Sequence, residues 1–272
     1  MVFAWGQNGH RIVAQICFDN LSETAKKCVQ DALGDDYLAQ IATWPDFIRS
    51  EENWTFSQPW HFITVDTGKT VEEVLQESSK NDSIDNVIEA IELMTLILEN
   101  DAKAKLRFQS LMDLHKVEPL AGSIEATAIA FLIHFIGDIH QPLHVGKGDD
   151  YGGNKVNVLF FSEETNLHSV WDEGIIEKEQ LSFTEFSSFV DIRYQSRKIE
   201  FQKATLATTW AKESVVTRDE IYNNLCDSNN KVPCKPDFSY QYKHDFLPAI
   251  QERLGAAGFR AAAVFNSIYR NR

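Results

Sequence analysis

The sequence has no apolar run near the roughly 20 residues that cross a bilayer as a helix, and it is short of positive charge. Lys and Arg number 26 against 40 Asp and Glu, for a formal net charge of −14. The first absence excludes a helical membrane span. The second argues against holding duplex DNA on a broad basic face, which needs clustered Lys and Arg against the phosphates. A phosphate site built on bound metal stays open, because a formal count omits the charge of the ions. Cysteine is scarce, four in 272 residues, and none forms a CxxC pair. Disulfides are therefore favoured over a thiolate metal site. Cys226 and Cys234 bracket the polar loop DSNNKVP and are paired on that ground, and Cys17 then pairs with Cys28 by elimination; the alternative is four free thiols. No repeat, low-complexity tract or linker divides the chain, and one domain is expected over 5–272.

What is present is helical period. Apolar spacing predicts helices over 8–19, 22–34, 41–50, 70–77, 83–100, 102–116, 123–140, 166–177, 183–190, 204–224 and 246–270. The stretch 123–140 is the most apolar and reads as a central buried helix, ended by Pro142. Alternation of Val156, Val158 and Phe160 predicts a strand over 155–161, and 60–64 reads as briefly extended. The fold class is all-α with a small β-hairpin or short strands.

Of eight histidines, six lie in short motifs beside acids or aromatics. His134 and Asp138 in HFIGD are one helical turn apart, so both leave one face. His168 and Asp172 in HSVWD repeat that spacing, and His144 lies between the pairs in HQPLH. His10 follows WGQNG, Asp46 lies in WPDFIR and His61 in WHF. A lone His/Asp pair is explained by local ion pairing. Two pairs, one on a buried apolar helix, need a partner, because unpaired buried His and Asp are costly. Imidazole and carboxylate are zinc ligands where thiolates are not used. A catalytic zinc takes three protein ligands, so eight such side chains imply two or three ions. His140 is assigned a supporting role, since helix geometry turns it from His134 and Asp138.

At the N-terminus, Val2-Phe3-Ala4 precedes Trp5. Small residues at −1 and −3 suit a signal peptidase. Residues 1–4 are read as the end of a leader cut after Ala4, and the protein as secreted or periplasmic.

These motifs together resemble the zinc-dependent single-strand-specific nucleases of fungi and plants, the nuclease S-one / nuclease P-one family. The stretches that carry the likeness are WGQNGH at 5–10, WPDFIR at 44–49, WHF at 60–62, HFIGDIHQPLHVG at 134–146, YGGNKV at 151–156 and NLHSVWD at 166–172. LGAAGFRAAAVFN at 254–266 resembles the family's closing helix, so the likeness covers nearly the whole chain. It implies a helical phospholipase C / nuclease P-one-like fold and three zinc ions. Asp46, His61, His134 and Asp138 would hold the first. Asp138 would bridge to the second, with His10 and the free amine and carbonyl of Trp5. His144, His168 and Asp172 would hold the third. It also implies a monomer that cuts single-stranded DNA and RNA to 5′-phosphorylated products and takes nucleotides as a 3′-nucleotidase.

Arg49 is placed to stabilise phosphoryl oxygens, against the alternative of a salt bridge to Asp46. Asn154 either orients substrate or makes a turn. Phe62 is either a stacking platform for an unpaired base or a core side chain. Where the family has an Asp that reads the base edge, this chain has Thr64, with Asp66 as the substitute. The rival reading is a zinc-dependent phospholipase C, similar in fold, in which the last motif would end in Glu rather than Asp172. A non-catalytic metal staple is the other, and the three-ligand third site argues against it.

Overall fold

The computed structural model describes residues 5–80, 83–225 and 236–272. The expected leader remnant at 1–4 and the expected Cys226–Cys234 pairing lie outside the described residues.

α1 (Gln7–Asp19) and α2 (Glu23–Leu33) are separated by Ser22, whose hydroxyl accepts from the Ala25 N–H and caps the second helix. Two short helices follow, α3 (Leu38–Ile41) and α4 (Trp44–Ile48), and then a 3-10 segment, Glu52–His61. α5 (Val71–Ser78) starts at a Thr70/Glu73 capping box, α6 (Val87–Leu98) at Asn86 and α7 (Ala102–His115) at Asp101. α8 (Ile124–His140) is buried at every residue from Ala126 to His140, as its composition predicts.

The chain then makes a hairpin, β1 (Asn157–Phe160) with β2 (Glu163–Asn166). Asn166 caps α9 (Leu167–Ser169), a π turn spans Val170–Gly174, and α10 (Ile175–Glu177) follows. α11 (Phe183–Tyr194), α12 (Lys198–Lys203) and α13 (Ala207–Asn223) precede β3 (Asp237–Phe238), which pairs parallel to β1. α14 (Tyr240–Ile268) closes the chain. Helices α1, α6, α13 and α14 pack around α8, so the architecture is all-α with a three-stranded sheet ordered β2-β1-β3. The α1/α14 seam is tight because Gly258 lacks a side chain: a Cβ there would lie 2.5 Å from Ile16 Cβ.

Several expectations are corrected. The expected Cys17–Cys28 disulfide does not form; both thiols are free. Cys17 is buried in the core on α1, whereas Cys28 on α2 is only half-buried. Burial raises the Cys17 thiol well above its ordinary range, which leaves it unreactive. The segment 60–64 is extended only from Phe62 onward, because Trp60 and His61 end the 3-10 turns. The predicted helix over 166–177 is broken by the π turn at Asp172. The closing helix begins six residues early at Tyr240, with Pro248 inside it.

Candidate metal centre

α8 supplies the centre's spine. His134 and Asp138 leave one face, with His134 Nε2 3.2 Å from Asp138 Oδ2. α1 brings His10, whose ring stacks on His134 at 3.8 Å between centroids. Its Nε2 lies 3.4 Å from Asp138 Oδ1. Gly137 makes this approach feasible, since a Cβ there would stand 2.9 Å from His10 Nδ1. α4 delivers Asp46, with Oδ1 3.7 Å from His134 Nε2 and 3.8 Å from His61 Nδ1. His61 ends the 3-10 segment and turns Nδ1 inward, 3.0 Å from His134 Nε2 and 3.1 Å from Asp138 Oδ2.

His144 follows the Pro142 break. The extended chain after His61 pairs with it: the Ile63 N–H donates to His144 O, and the Val65 N–H to Gly146 O. The second pair is placed by the π turn, which sets His168 Nε2 3.2 Å from Asp172 Oδ2 and 3.3 Å from His144 Nε2. π turns recur at functional sites. All eight predicted side chains thus converge, in three groups: His10, His134 and Asp138; Asp46, His61 and His134; His144, His168 and Asp172. Within each group the donor atoms lie within 4.8 Å of one another.

These residues fit a metal. Three imidazoles donate Nδ1–H to a backbone carbonyl: His134 to Ala42 at 2.7 Å, His144 to His61 at 2.8 Å and His168 to Gly152 at 2.7 Å. That bond orients each ring and turns its Nε2 toward the carboxylates and neighbouring rings. Nitrogens of different rings then face each other near 3 Å, which requires a cation or proton between them. His10 Nδ1 and Nε2, His61 Nε2 and Asp138 Oδ1 are buried without a hydrogen-bond partner, and unpaired buried polar atoms are rare in folded proteins. The donor set of imidazole nitrogen and carboxylate oxygen, with no thiolate, suits zinc.

The electrostatics agree. Burial pushes the Asp138 carboxyl up, but the charges of His134 and His144 and the nearness of the His10 and His134 rings outweigh it, holding the group well below the carboxylate range. Asp46 is lowered for a like reason, through His134 and His61. Asp172 is raised, because burial outweighs its histidine neighbours. Burial lowers His10, and His61 to about 4, which favours the neutral rings that ligate metal.

Trp5 is fully buried, and its indole N–H donates to Gly137 O at 2.8 Å, beside His10. The Gly6 N–H donates to Asp172 O, which lays the N-terminal segment against the third group. Arg49 Nη1 reaches Asp46 Oδ1 at 3.0 Å, so the ion pair weighed as its alternative role is formed. A cavity next to His144 and His168 is walled by Phe62, Thr64 and Tyr151. Phe62 is half-buried, neither core nor free, and Thr64 is exposed at the rim. Asp66 accepts from the Gly148 N–H at 2.9 Å and braces the loop. The Asn154 amide donates to Tyr151 O at 2.8 Å, closing the turn rather than entering the cavity.

Sequence reasoning missed four contributors. Buried Gln141 donates to Asp172 Oδ1 at 2.5 Å and accepts from the Leu143 N–H, fixing the carboxylate. Gly152, at φ +61°, presents the carbonyl that His168 binds. Tyr151 stands 61% exposed and lines the same cavity as Phe62. Arg218 donates to Val65 O and Val145 O, tying both arms of the extended pairing to α13. Gln141, Tyr151 and Gly152 lie inside motifs already singled out, and that proximity was the available signal. His140 stays outside the centre: its Nδ1–H donates to Ile136 O, and its Nε2 accepts from Arg260 at 2.9 Å.

In comparison with known proteins, the family described as S1/P1 Nuclease matches residues 5–270. Nuclease P1 of Penicillium citrinum is 32% identical, over 97% of this chain and 98% of its own length. Nuclease S1 of Aspergillus oryzae is 28% identical, over 97% and 91%. Endonuclease 2 of Arabidopsis thaliana is 25% identical, over 98% and 91%.

Proposed function

The chain belongs to the S1/P1 nuclease family, and on that premise we propose that this nucleic-acid hydrolase uses three zinc ions to cut single-stranded DNA and RNA to 5′-phosphorylated products. The observation that carries this reading is the convergence of five histidines and three aspartates into three donor groups, with imidazole nitrogens facing one another.

Asp46, His61, His134 and Asp138 would hold one ion. Asp138 would be shared with a second, held by His10 and by the amine and carbonyl of Trp5 once the chain is cut after Ala4. His144, His168 and Asp172 would hold the third. The ions supply Lewis acidity at phosphorus and a water of low pKa as nucleophile. The protein supplies the rest. Arg49, held against Asp46, donates to non-bridging phosphoryl oxygens as charge builds there. Gln141 holds Asp172 in one orientation. Phe62 and Tyr151 sandwich the base whose 3′ oxygen leaves, beside His144 and His168. A paired base is stacked in its helix and cannot enter between two rings, which accounts for selectivity toward single strands. Thr64 at the rim replaces the carboxylate expected there, and it offers a hydroxyl in place of a charge. Removal of 3′ phosphate from nucleotides follows from the same geometry.

The formal charge of −14 suits a monomer that meets its polyanionic substrate through ions rather than through a basic face. Among the described residues no helix is long and apolar enough to cross a membrane. We place the enzyme outside the cytoplasm, on the N-terminal VFA segment. The deciding experiment incubates zinc-replete protein beginning at Trp5 with single-stranded DNA, with and without chelator, and weighs the products. Chelator-sensitive release of 5′-phosphorylated nucleotides is expected. Intact substrate overturns the reading and makes phosphatidylcholine the next substrate to try.

A further inference from the structure

A second depression reaches the metal centre and shares no lining residue with the Phe62 cavity. It is a groove of 870 Å³ that opens at Asp46 and is walled by α1 through Gln7, Asn8 and Arg11 and by α4 through Trp44 and Phe47. Phe47 is the next residue after Asp46, and it is 74% exposed.

We propose that Phe47 is the stacking platform for the nucleobase on the 3′ side of the scissile phosphate, the nucleotide that keeps the 5′ phosphate. The proposal rests on the nuclease reading. The Phe62 cavity touches His144 and His168, while this groove touches Asp46, so two depressions, each with an exposed or half-exposed aromatic, reach different side chains of the centre. A phosphodiester bound at the centre has one nucleoside on each side. The nucleoside whose 3′ oxygen leaves occupies the Phe62 side, which directs its neighbour to the Asp46 side.

Phe47 is exposed on an otherwise anchored helix. Pro45 and Ile48 are buried, and Trp44 packs edge-on against Trp54 and Phe131, each at 5.4 Å. A large apolar ring held rigidly at a polar rim gains by covering its face, and a base offers a flat face with no demand on its identity. The charges of the groove favour contact through the base rather than the backbone. Asp36, Glu51, Glu173 and Glu177 line it and repel a run of phosphates. The one cation in its wall, Arg11, is bound by the amide oxygens of Asn8 and Gln7 rather than by a carboxylate, and is available for a single phosphate.

The test compares two dinucleotides with Phe47→Ala and Phe47→Trp variants. One substrate carries adenine on both sides of the phosphate; the other has an abasic sugar on the 3′ side. Phe47→Ala is expected to raise KM for the full dinucleotide about tenfold, the scale of one lost base–aromatic stack, with kcat retained. The abasic substrate is expected to show no change, and Phe47→Trp to behave as the parent. An equal change on both substrates, or none on the full dinucleotide, overturns the proposal. Failure of the parent enzyme to cleave either substrate overturns the nuclease reading beneath it.

Discussion

Gly152 shows how one backbone atom governs the orientation of a candidate ligand. Its φ of +61° is open to glycine at little cost, and a Cβ there would collide with the Leu143 carbonyl oxygen. Its own carbonyl takes the His168 Nδ1–H, which turns Nε2 toward His144 and Asp172. Gly152→Ala is expected to weaken binding of one metal equivalent about 10- to 100-fold, the range for lost supporting bonds to a ligand. Metal titration by mass spectrometry under native conditions reads this directly; full retention of three equivalents would contradict it. Arg49 poses a cleaner question, because its ion pair with Asp46 and its proposed contact with phosphate predict different losses. Arg49→Ala is expected to lower kcat about a hundredfold with metal content unchanged. Loss of an ion instead would make Arg49 a support for Asp46 alone.

At the scale of elements, the centre depends on the α1/α14 seam as much as on α8. His10 rides on α1, and α1 is seated by the contact of Ile16 with Gly258. Gly258→Val would put two methyls where no Cβ fits, and overpacking of this kind costs about 2 kcal/mol. A fall in the thermal midpoint is expected, together with weaker binding at the group containing His10. Normal stability with normal metal binding would show that the helices part without consequence. The π turn at Val170–Gly174 illustrates the opposite dependence. Helical period in the sequence gives a continuous helix there, and the extra residue per turn appears only once Gly6 bonds to the Asp172 carbonyl and Gln141 to its carboxylate.

For the molecule as a whole, buried imidazoles set the response to acid. Burial depresses His10, His61 to about 4, and His140, the last also through the charges of Arg253 and Arg260. Burial likewise acts to lower His134, but Asp138 and Asp46 outweigh it and the group is raised. A histidine depressed in the folded state contributes stability that is full above its unfolded value, about 6.5, and is lost as pH falls toward the folded value. Three depressed rings against one raised ring give a net loss between roughly pH 6.5 and 4. Ligation adds to it, because protons compete with metal for nitrogen. The melting temperature of metal-loaded protein is expected to fall steeply over that window, and that of chelated protein to fall less steeply from a lower start. Equal slopes would show that the ions contribute nothing to the acid response.

The sequence by itself determined the helical class, the burial of α8 and the eight side chains of the centre. Those follow from local rules: a period of 3.6 sets the apolar face, and a spacing of four puts His134 with Asp138 and His168 with Asp172 on common faces. The tertiary structure alone decided what depends on distant segments meeting. It left Cys17 and Cys28 as free thiols, though elimination had joined them. It gave Asp172 its Gln141 partner from 31 residues away and His168 its Gly152 carbonyl. It also divided the surface around the centre into two depressions, with Phe62 in one and Phe47 in the other. No periodicity encodes such contacts, because they form between elements whose approach is set by the packing of the whole core.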